Sequence, residues 1–252
     1  VQVVDSSAHL IHFLIHVSIL RLVFFWNLFF IRFSSMKTVA IIPAAGHSRR
    51  MGEPKLLLPW NGQAVMQHVL KAWKSTAVDR ILVVVRQSDY PLAAICRQEQ
   101  VEVLQPAMDP PDMKASVQYA LRWLEAESNE TGRALPGAWL LAPADQPRLS
   151  VAVIQQLLDE FAVAAATAAT AATAATFLVP TILVPTYQGR RGHPVLFPWK
   201  LAEAVHRLEE NEGVNRLLGV YPVREIVVSQ PTITDDLDTP DDYQRLTAQS
   251  DS

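Results

Sequence analysis

Residues 38–55 read Thr-Val-Ala-Ile-Ile-Pro-Ala-Ala-Gly-His-Ser-Arg-Arg-Met-Gly-Glu-Pro-Lys. The first six are apolar or β-branched, as a strand buried on both faces requires. The next three, Ala44, Ala45 and Gly46, are small enough for the backbone to approach a ligand closely. A turn of that kind aims several N–H groups at one point, which suits phosphate oxygens. Ser48 adds a hydroxyl, and Arg50 and Lys55 add cations for a polyphosphate. The glycine spacing matches neither the dinucleotide fingerprint GxGxxG nor a Walker A loop, which would end in Gly-Lys-Ser/Thr.

Outward from this loop the chain alternates strands and helices. Apolar strands are expected at Thr38–Pro43, Arg80–Val85, Val101–Leu104 and Ala138–Leu141, with helices at Ala64–Trp73, Pro91–Gln98, Met113–Ala126 and Val151–Phe161, the last capped by Ser150. Strands with near-continuous apolar runs between helices predict a mainly parallel sheet covered on both faces. Further on, one copy of the repeated Leu-Val-Pro-Thr (178–181 and 183–186) is a strand whose proline puts it at an edge or strand end. Leu201–Leu208 reads as a helix. Val223–Val228 and Thr232–Leu237 read as strands. Thr239-Pro240-Asp241-Asp242 is a helix start, with a threonine cap, proline at the first position and an acid at the third.

The composition excludes several classes. The 252 residues are 50% hydrophobic and 19% charged, with 9 glycines and 17 prolines, so the chain is neither disordered nor collagen-like. A net charge of −3 without a broad basic stripe argues against a nucleic-acid partner. Cys96 is the single cysteine, which excludes internal disulfides and multi-cysteine metal sites and fits a reducing cytoplasm.

Residues 1–35 stand apart. They are almost wholly apolar, but Arg21 and Arg32 interrupt them, and the uncharged run before Arg21 is shorter than the ~18 residues of a membrane span. They read as an extension upstream of a natural start at Met36, or else as an amphipathic leader; membrane attachment depends on that leader being real. His9, His12 and His16 share a helical face without a carboxylate or cysteine partner, so a metal site there is not expected. The catalytic domain is expected over 36–248, with a low-complexity Ala/Thr insert at 162–176 and a tail at 249–252. Ala165–Thr176 is four copies of Ala-Ala-Thr, a period that defines no helical face, so it is a helical extension or loop without chemistry.

Asp145, in Ala142-Pro143-Ala144-Asp145-Gln146-Pro147, follows a buried strand at the end where open α/β sheets place ligands. A carboxylate there can hold Mg²⁺ against nucleotide phosphates. It can equally cap a turn before proline. Five acids lie between Asp235 and Asp242. Such a run is usually a solvated face.

These segments together resemble the MobA-like nucleotidyltransferases. The resemblance rests on residues 40–60, on Ala142–Pro147, on Gly189-Arg190-Arg191-Gly192-His193-Pro194-Val195-Leu196-Phe197 and on Asp236-Leu237-Asp238-Thr239-Pro240-Asp241-Asp242-Tyr243, all in the family's order. It implies a Rossmann-like three-layer α/β/α nucleotidyltransferase fold. Ala44-Ala45-Gly46 with Asp145-Gln146-Pro147 and Gly189–Pro194 is similar to the branch that handles CTP and a molybdopterin acceptor; the guanylyl branch has Gly-Gly in the loop. A methyl at Ala45 takes space that a purine would need.

The resemblance implies roles residue by residue. Ala44, Ala45, Gly46, Ser48, Arg50 and Lys55 bind the nucleotide. Arg50, Lys55 and Asp145 are catalytic. Asp145 and Asp238 hold Mg²⁺, with Asp236 as the fallback because alternate residues of a strand share a face. Arg190, Arg191, Gly192 and His193 bind the acceptor, the arginines by forked contacts. Pro110–Ser116 departs from the family turn: Asp112 stands where glycine is expected, and Lys114 reads as a solvated lysine. Small-molecule substrates are implied, and a molybdenum hydroxylase or its accessory protein as recipient. The open alternatives are GTP as donor, another small phosphate ester as acceptor, and a non-catalytic carrier of the molybdenum cofactor. The retention of Arg50, Lys55 and Asp145 weighs against the carrier.

Overall fold

The computed structural model describes residues 37–170 and 180–249. The expectations for 1–35, for the later Ala-Ala-Thr copies and for the last residues of the tail lie outside the described residues.

Strand β1 (Thr38–Pro43) leads into the small-residue loop. A hairpin of β2 (Pro59–Trp60) and β3 (Gln63–Ala64) precedes helix α1 (Val65–Lys74). β4 (Arg80–Val84), α2 (Tyr90–Gln98), β5 (Glu102–Leu104), α3 (Met113–Thr131), β6 (Ala138–Leu141) and α4 (Val151–Thr170) continue the alternation. The last part holds β7 (Ile182–Tyr187), β8 (Arg190–Arg191), β9 (Val195–Pro198), α5 (Ala202–His206), β10 (Val223–Val227) and α6 (Pro240–Ala248).

The main sheet runs β10-β7-β9-β6-β1-β4-β5, with β8 on β7. β1 pairs parallel with β4 and β6, β4 with β5, and β7 with β10. β9 runs antiparallel between β6 and β7, and β8 antiparallel to β7. Alternation within the strands separates two cores. Ala40 and Ile42 of β1 and Leu140 of β6 pack with Val69, Trp73, Leu92 and Ile154 on one face. Val39, Ile41 and Trp139 pack with Val117, Leu121 and Val205 on the other. Trp139 stacks on its cross-strand partner Phe197 at a ring separation of 4.2 Å. A strand apolar at every position is therefore satisfied from both sides, which produces the three-layer α/β/α fold.

Local signals set the helix starts. Asp89 Oδ1 accepts from the Leu92 N–H and Asp112 Oδ1 from the Ala115 N–H. Thr239 and Asp242 form the expected reciprocal capping box. Ser150 Oγ accepts from the Val153 N–H, and α4 continues to Thr170, so the first two Ala-Ala-Thr copies extend the helix.

Two expectations are corrected, and one strand is added. Thr232–Leu237 is not a strand: Pro231–Thr234 is a 3₁₀ turn followed by irregular chain. Pro231 at its start favours a tight turn. β7 is not an edge strand, and Pro185 lies inside it and not at its end. Pro185 is tolerated because β7 changes partner there, from β9 at Leu183 to β8 at Thr186, and its carbonyl accepts from the Gly192 N–H at 3.0 Å. β9 was unanticipated, because Val195–Pro198 is too short for its pattern to stand out.

Candidate active site

The carboxyl ends of β1 and β6 open on one side of the sheet. The Ala44 N–H still donates to the Val84 carbonyl at 2.8 Å, so the loop leaves β1 anchored to β4. Ser48 then takes a positive φ of 49°, and its carbonyl accepts from the N–H groups of Met51 and Gly52. Its hydroxyl accepts from the Lys55 N–H at 3.3 Å. Ser48 thus shapes the loop from within and sets the start of the turn that carries Lys55. Gly46 is exposed, and a Cβ there would meet nothing within 4 Å. Its smallness answers to no contact inside the protein.

Lys55 is the centre of the site. Its Nζ donates to Asp145 Oδ2 at 2.5 Å and to Asp238 Oδ1 at 2.9 Å. Arg50 reaches the other Asp238 oxygen at 3.1 Å from a largely exposed position. Asp145 and Asp238 come from distant segments and are held together by the main chain: the Leu237 N–H donates to the Asp145 carbonyl at 2.9 Å, and Leu237 is fully buried. Thr239 then begins α6, so Asp238 sits at a junction that packing and capping both constrain.

The electrostatics follow from this crowding. Burial pushes the Asp145 carboxyl above its ordinary range and overcomes the pull of Lys55; Asp236 and Asp238 push the same way as burial. Burial works to lower the Lys55 ammonium, but Asp145 and then Asp238 outweigh it, and its pKa is raised. Asp145 Oδ1 is buried and accepts no hydrogen bond. Such an orphaned carboxylate oxygen normally signals a missing partner. Among the described residues no group of three or more His, Cys, Asp or Glu side chains forms a metal cage. Two carboxylates with one free oxygen nevertheless fit Mg²⁺, which takes one or two carboxylates and completes its shell from phosphates and water.

Two cavities flank this cluster. One, of about 460 Å³, is lined by the 43–50 loop, Lys55, Pro110–Met113, Asp145 and Asp238. It gathers every residue that the sequence assigns to the nucleotide and the metal. Ala45 borders it but is only 6% exposed, so little of its methyl faces the space. The other, of about 660 Å³, is lined by Arg190–His193, Asp236, Lys114 and the Glu210–Asn215 loop. It gathers all four expected acceptor residues, with differing surroundings. Arg190 is exposed and has no ion-pair partner among the described residues. The Arg191 guanidinium is committed to Glu225, at 2.8 and 2.9 Å. Gly192 has a packing reason: a Cβ would lie 2.2 Å from the Ile233 carbonyl oxygen. His193 follows it, donating its N–H to that carbonyl, and precedes a cis peptide bond to Pro194. Burial pulls the His193 imidazole below its usual pKa, against Asp236, the Leu141 backbone and Asp145. Its Nδ1 is buried without a partner.

Asp236 does not share a face with Asp238. It accepts from Gln146 Nε2 at 2.8 Å and lines the larger cavity, whereas Asp238 lines the smaller. The fallback assignment depended on a strand that does not form. Lys114 is also corrected. It is buried, and its Nζ donates to the carbonyls of Glu209 at 2.5 Å and Glu210 at 2.8 Å. The signal was present: 114, 117, 121 and 124 share the buried stripe of α3. Gln146 is nearly fully buried beneath Asp236, and nothing local in the sequence marks it so.

The cavity with Lys55, Asp145 and Asp238 on its floor lies at the carboxyl edge of a mainly parallel sheet, and similarity to known proteins gives the class, a nucleotidyltransferase. A model of the MobA-like NTP transferase domain matches residues 40–226, and the chain belongs to that family. It is 29% identical over 222 residues to the purine catabolism protein PucB of Bacillus subtilis, covering 82% of this chain and 95% of that protein. It is 31% identical over 168 residues to the bifunctional protein GlmU of Kineococcus radiotolerans, covering 62% of this chain but only 30% of that protein. The fold is similar to Rv0371c from Mycobacterium tuberculosis H37Rv, with a TM-score of 0.65 at 24% identity, covering 84% of this chain and 98% of that one. A manganese complex of Rv0371c matches with a TM-score of 0.64, at 23% identity and the same coverage. Among the described residues no helix is long and apolar enough to cross a membrane.

Proposed function

We propose that the protein transfers CMP from CTP to the phosphate of molybdenum-loaded molybdopterin and releases pyrophosphate. The observation that carries the reading is the Lys55–Asp145–Asp238 cluster on the 460 Å³ cavity, beside a second cavity of a size for a small acceptor. The base and the acceptor are taken from the loop Ala44-Ala45-Gly46 and the Gly189–Pro194 segment, which resemble the cytidylyl branch.

An acceptor phosphate oxygen attacks the α-phosphorus in line. The new P–O bond forms as the bond to the bridging oxygen breaks, and the electron pair leaves with pyrophosphate. A phosphate monoester is already anionic near neutral pH, so the step asks for no strong base. The work is positioning and charge stabilisation. The backbone of 44–48 cradles the phosphates. Lys55, kept charged by its two carboxylates, turns toward the α-phosphate and the leaving group as the nucleotide enters. Arg50, exposed and held only by Asp238, is free to follow the β- and γ-phosphates. Asp145 and Asp238 would hold Mg²⁺, which supplies neutralising charge to the triphosphate. Arg190 orients the acceptor phosphate, and buried His193 offers its unpartnered Nδ1 for hydrogen bonding.

The single, buried Cys96 supports a place in a reducing cytoplasm. A molybdenum hydroxylase or its accessory protein is the recipient that this product chemistry implies.

The test is to incubate the chain with Mg²⁺, molybdenum-loaded molybdopterin and either CTP or GTP, and to quantify pyrophosphate. Release with CTP alone supports the reading. Release with GTP alone keeps the mechanism and overturns the base assignment. No release with either overturns the acceptor assignment.

A further inference from the structure

Lys114 is spent on two main-chain carbonyls, although a neutral donor would satisfy them. It stands in the first turn of α3, two residues after the Asp112 cap. Asp112 and Met113 line both cavities, and Lys114 lines the larger one. The carbonyls it holds, those of Glu209 and Glu210, begin the loop that forms one wall of that larger cavity.

The loop is a unit tied to itself. The Glu209 N–H donates to Glu212 Oε2 at 3.1 Å, the Glu212 N–H donates back to the Glu209 carbonyl, and Arg216 donates to Glu212 Oε1 at 3.0 Å. It joins α3 through Lys114; one turn later Gln118 Nε2 donates to the Val205 carbonyl at 2.8 Å and ties α3 to the neighbouring helix α5 instead. Hydrogen bonds from a charged donor are worth roughly twice neutral ones. The first turn of α3 and the 209–216 loop are thus fastened by the Lys114 ammonium.

We infer that Lys114 is a positioning residue that couples the two cavities: a nucleotide settling against Asp112 and Met113 orders the first turn of α3, and Lys114 passes that order to the acceptor-cavity wall. The inference rests on the nucleotidyltransferase reading for its ligands, but its test does not need the acceptor. The physical content is a linkage free energy between two sites carried by one shared element.

The experiment is amide hydrogen exchange on the full chain, with and without Mg·CTP and, in parallel, Mg·GTP. In the wild type, nucleotide slows exchange in the 209–216 loop by about fivefold or more, the low end of site–site coupling. Lys114→Met loses that slowing while the 44–52 loop still slows; Lys114→Arg, which can also span two carbonyls, keeps it. Slowing at 44–52 alone in the wild type overturns the coupling and leaves the nucleotide site intact. Equal slowing of 209–216 in Lys114→Met also overturns it. No slowing at either segment with either nucleotide overturns both the coupling and the assigned function. The wild-type measurement decides without any substitution, so a variant that fails to fold does not rescue the inference. At binding equilibrium Lys114→Met weakens acceptor binding to the nucleotide-loaded chain by about tenfold and, by reciprocity, weakens nucleotide binding by the same factor when acceptor is present, with nucleotide affinity in the absence of acceptor unchanged; a nucleotide affinity weakened equally with and without acceptor contradicts the coupling.

Discussion

Lys55 Nζ and Asp145 Oδ2 lie 2.5 Å apart although 90 positions separate them in the chain. The contact closes the floor of the 460 Å³ cavity, the proposed nucleotide site, and Asp238 completes it from the far end of the fold. Lys55→Ala should lower turnover by about 100- to 1000-fold, the scale of a lost charge-stabilising donor. The unfolding midpoint should also fall, because Asp145 is left buried without its cation, but by far less than the turnover. Kinetics and thermal melts on the same preparation check this; matched losses in both would make Lys55 a structural residue.

Gly192 has no room for a side chain, since its Cβ would press on the Ile233 backbone at 2.2 Å. Gly192→Ala should destabilise the fold by about 2 kcal/mol or more, as overpacking against backbone does. Urea unfolding monitored by tryptophan fluorescence measures it. A variant as stable as the wild type would show that the 190–194 segment can move away from Ile233.

The start of α6 makes a pH-dependent prediction. Hydrogen bonds from Arg245 and Thr239 hold the Asp242 carboxyl below its ordinary 3.8. A depressed carboxyl contributes stability above the unfolded pKa and loses it as pH falls through the folded one. The wild type should therefore melt above Asp242→Asn at pH 7, and the gap should close toward acid pH. Thr239→Ala should cost about 1 kcal/mol as a lost N-cap. A gap that is constant with pH would mean the Asp242 charge plays no part.

Cys96 is fully buried, and burial, reinforced by Asp89, pushes its thiol up to about 12. At pH 8 it is a protonated, inaccessible thiol. Native chain should react with an aromatic disulfide reagent at least about 100-fold more slowly than chain unfolded in guanidinium. Equal rates would show that α2 opens readily.

Much of this protein is legible residue by residue. Thr38–Pro43, Arg80–Val84 and Ala138–Leu141 are apolar at consecutive positions, and only a sheet covered on both faces buries such runs. Thr239-Pro240-Asp241-Asp242 carries its own capping chemistry, so α6 could be placed before its neighbours were known. The small-residue loop with Lys55, and the order of the four motifs, were enough to place the chain in its family.

Other features depend on contacts between distant segments and have no local signature. Asp236 and Asp238 look interchangeable in the sequence. The Leu237 N–H on the Asp145 carbonyl and the 3₁₀ turn at Pro231 send them to different cavities. Arg190 and Arg191 are equivalent by type, yet Glu225 on the edge strand ties up only one. Lys114 reads as solvated until the 209–216 loop folds over it. Strand and cap signals act within a few residues, so the sequence alone determined the layers and the loop. Which charge meets which depends on chain segments up to 188 residues apart, as in Arg50 and Asp238, and that pairing only the packed tertiary structure decided.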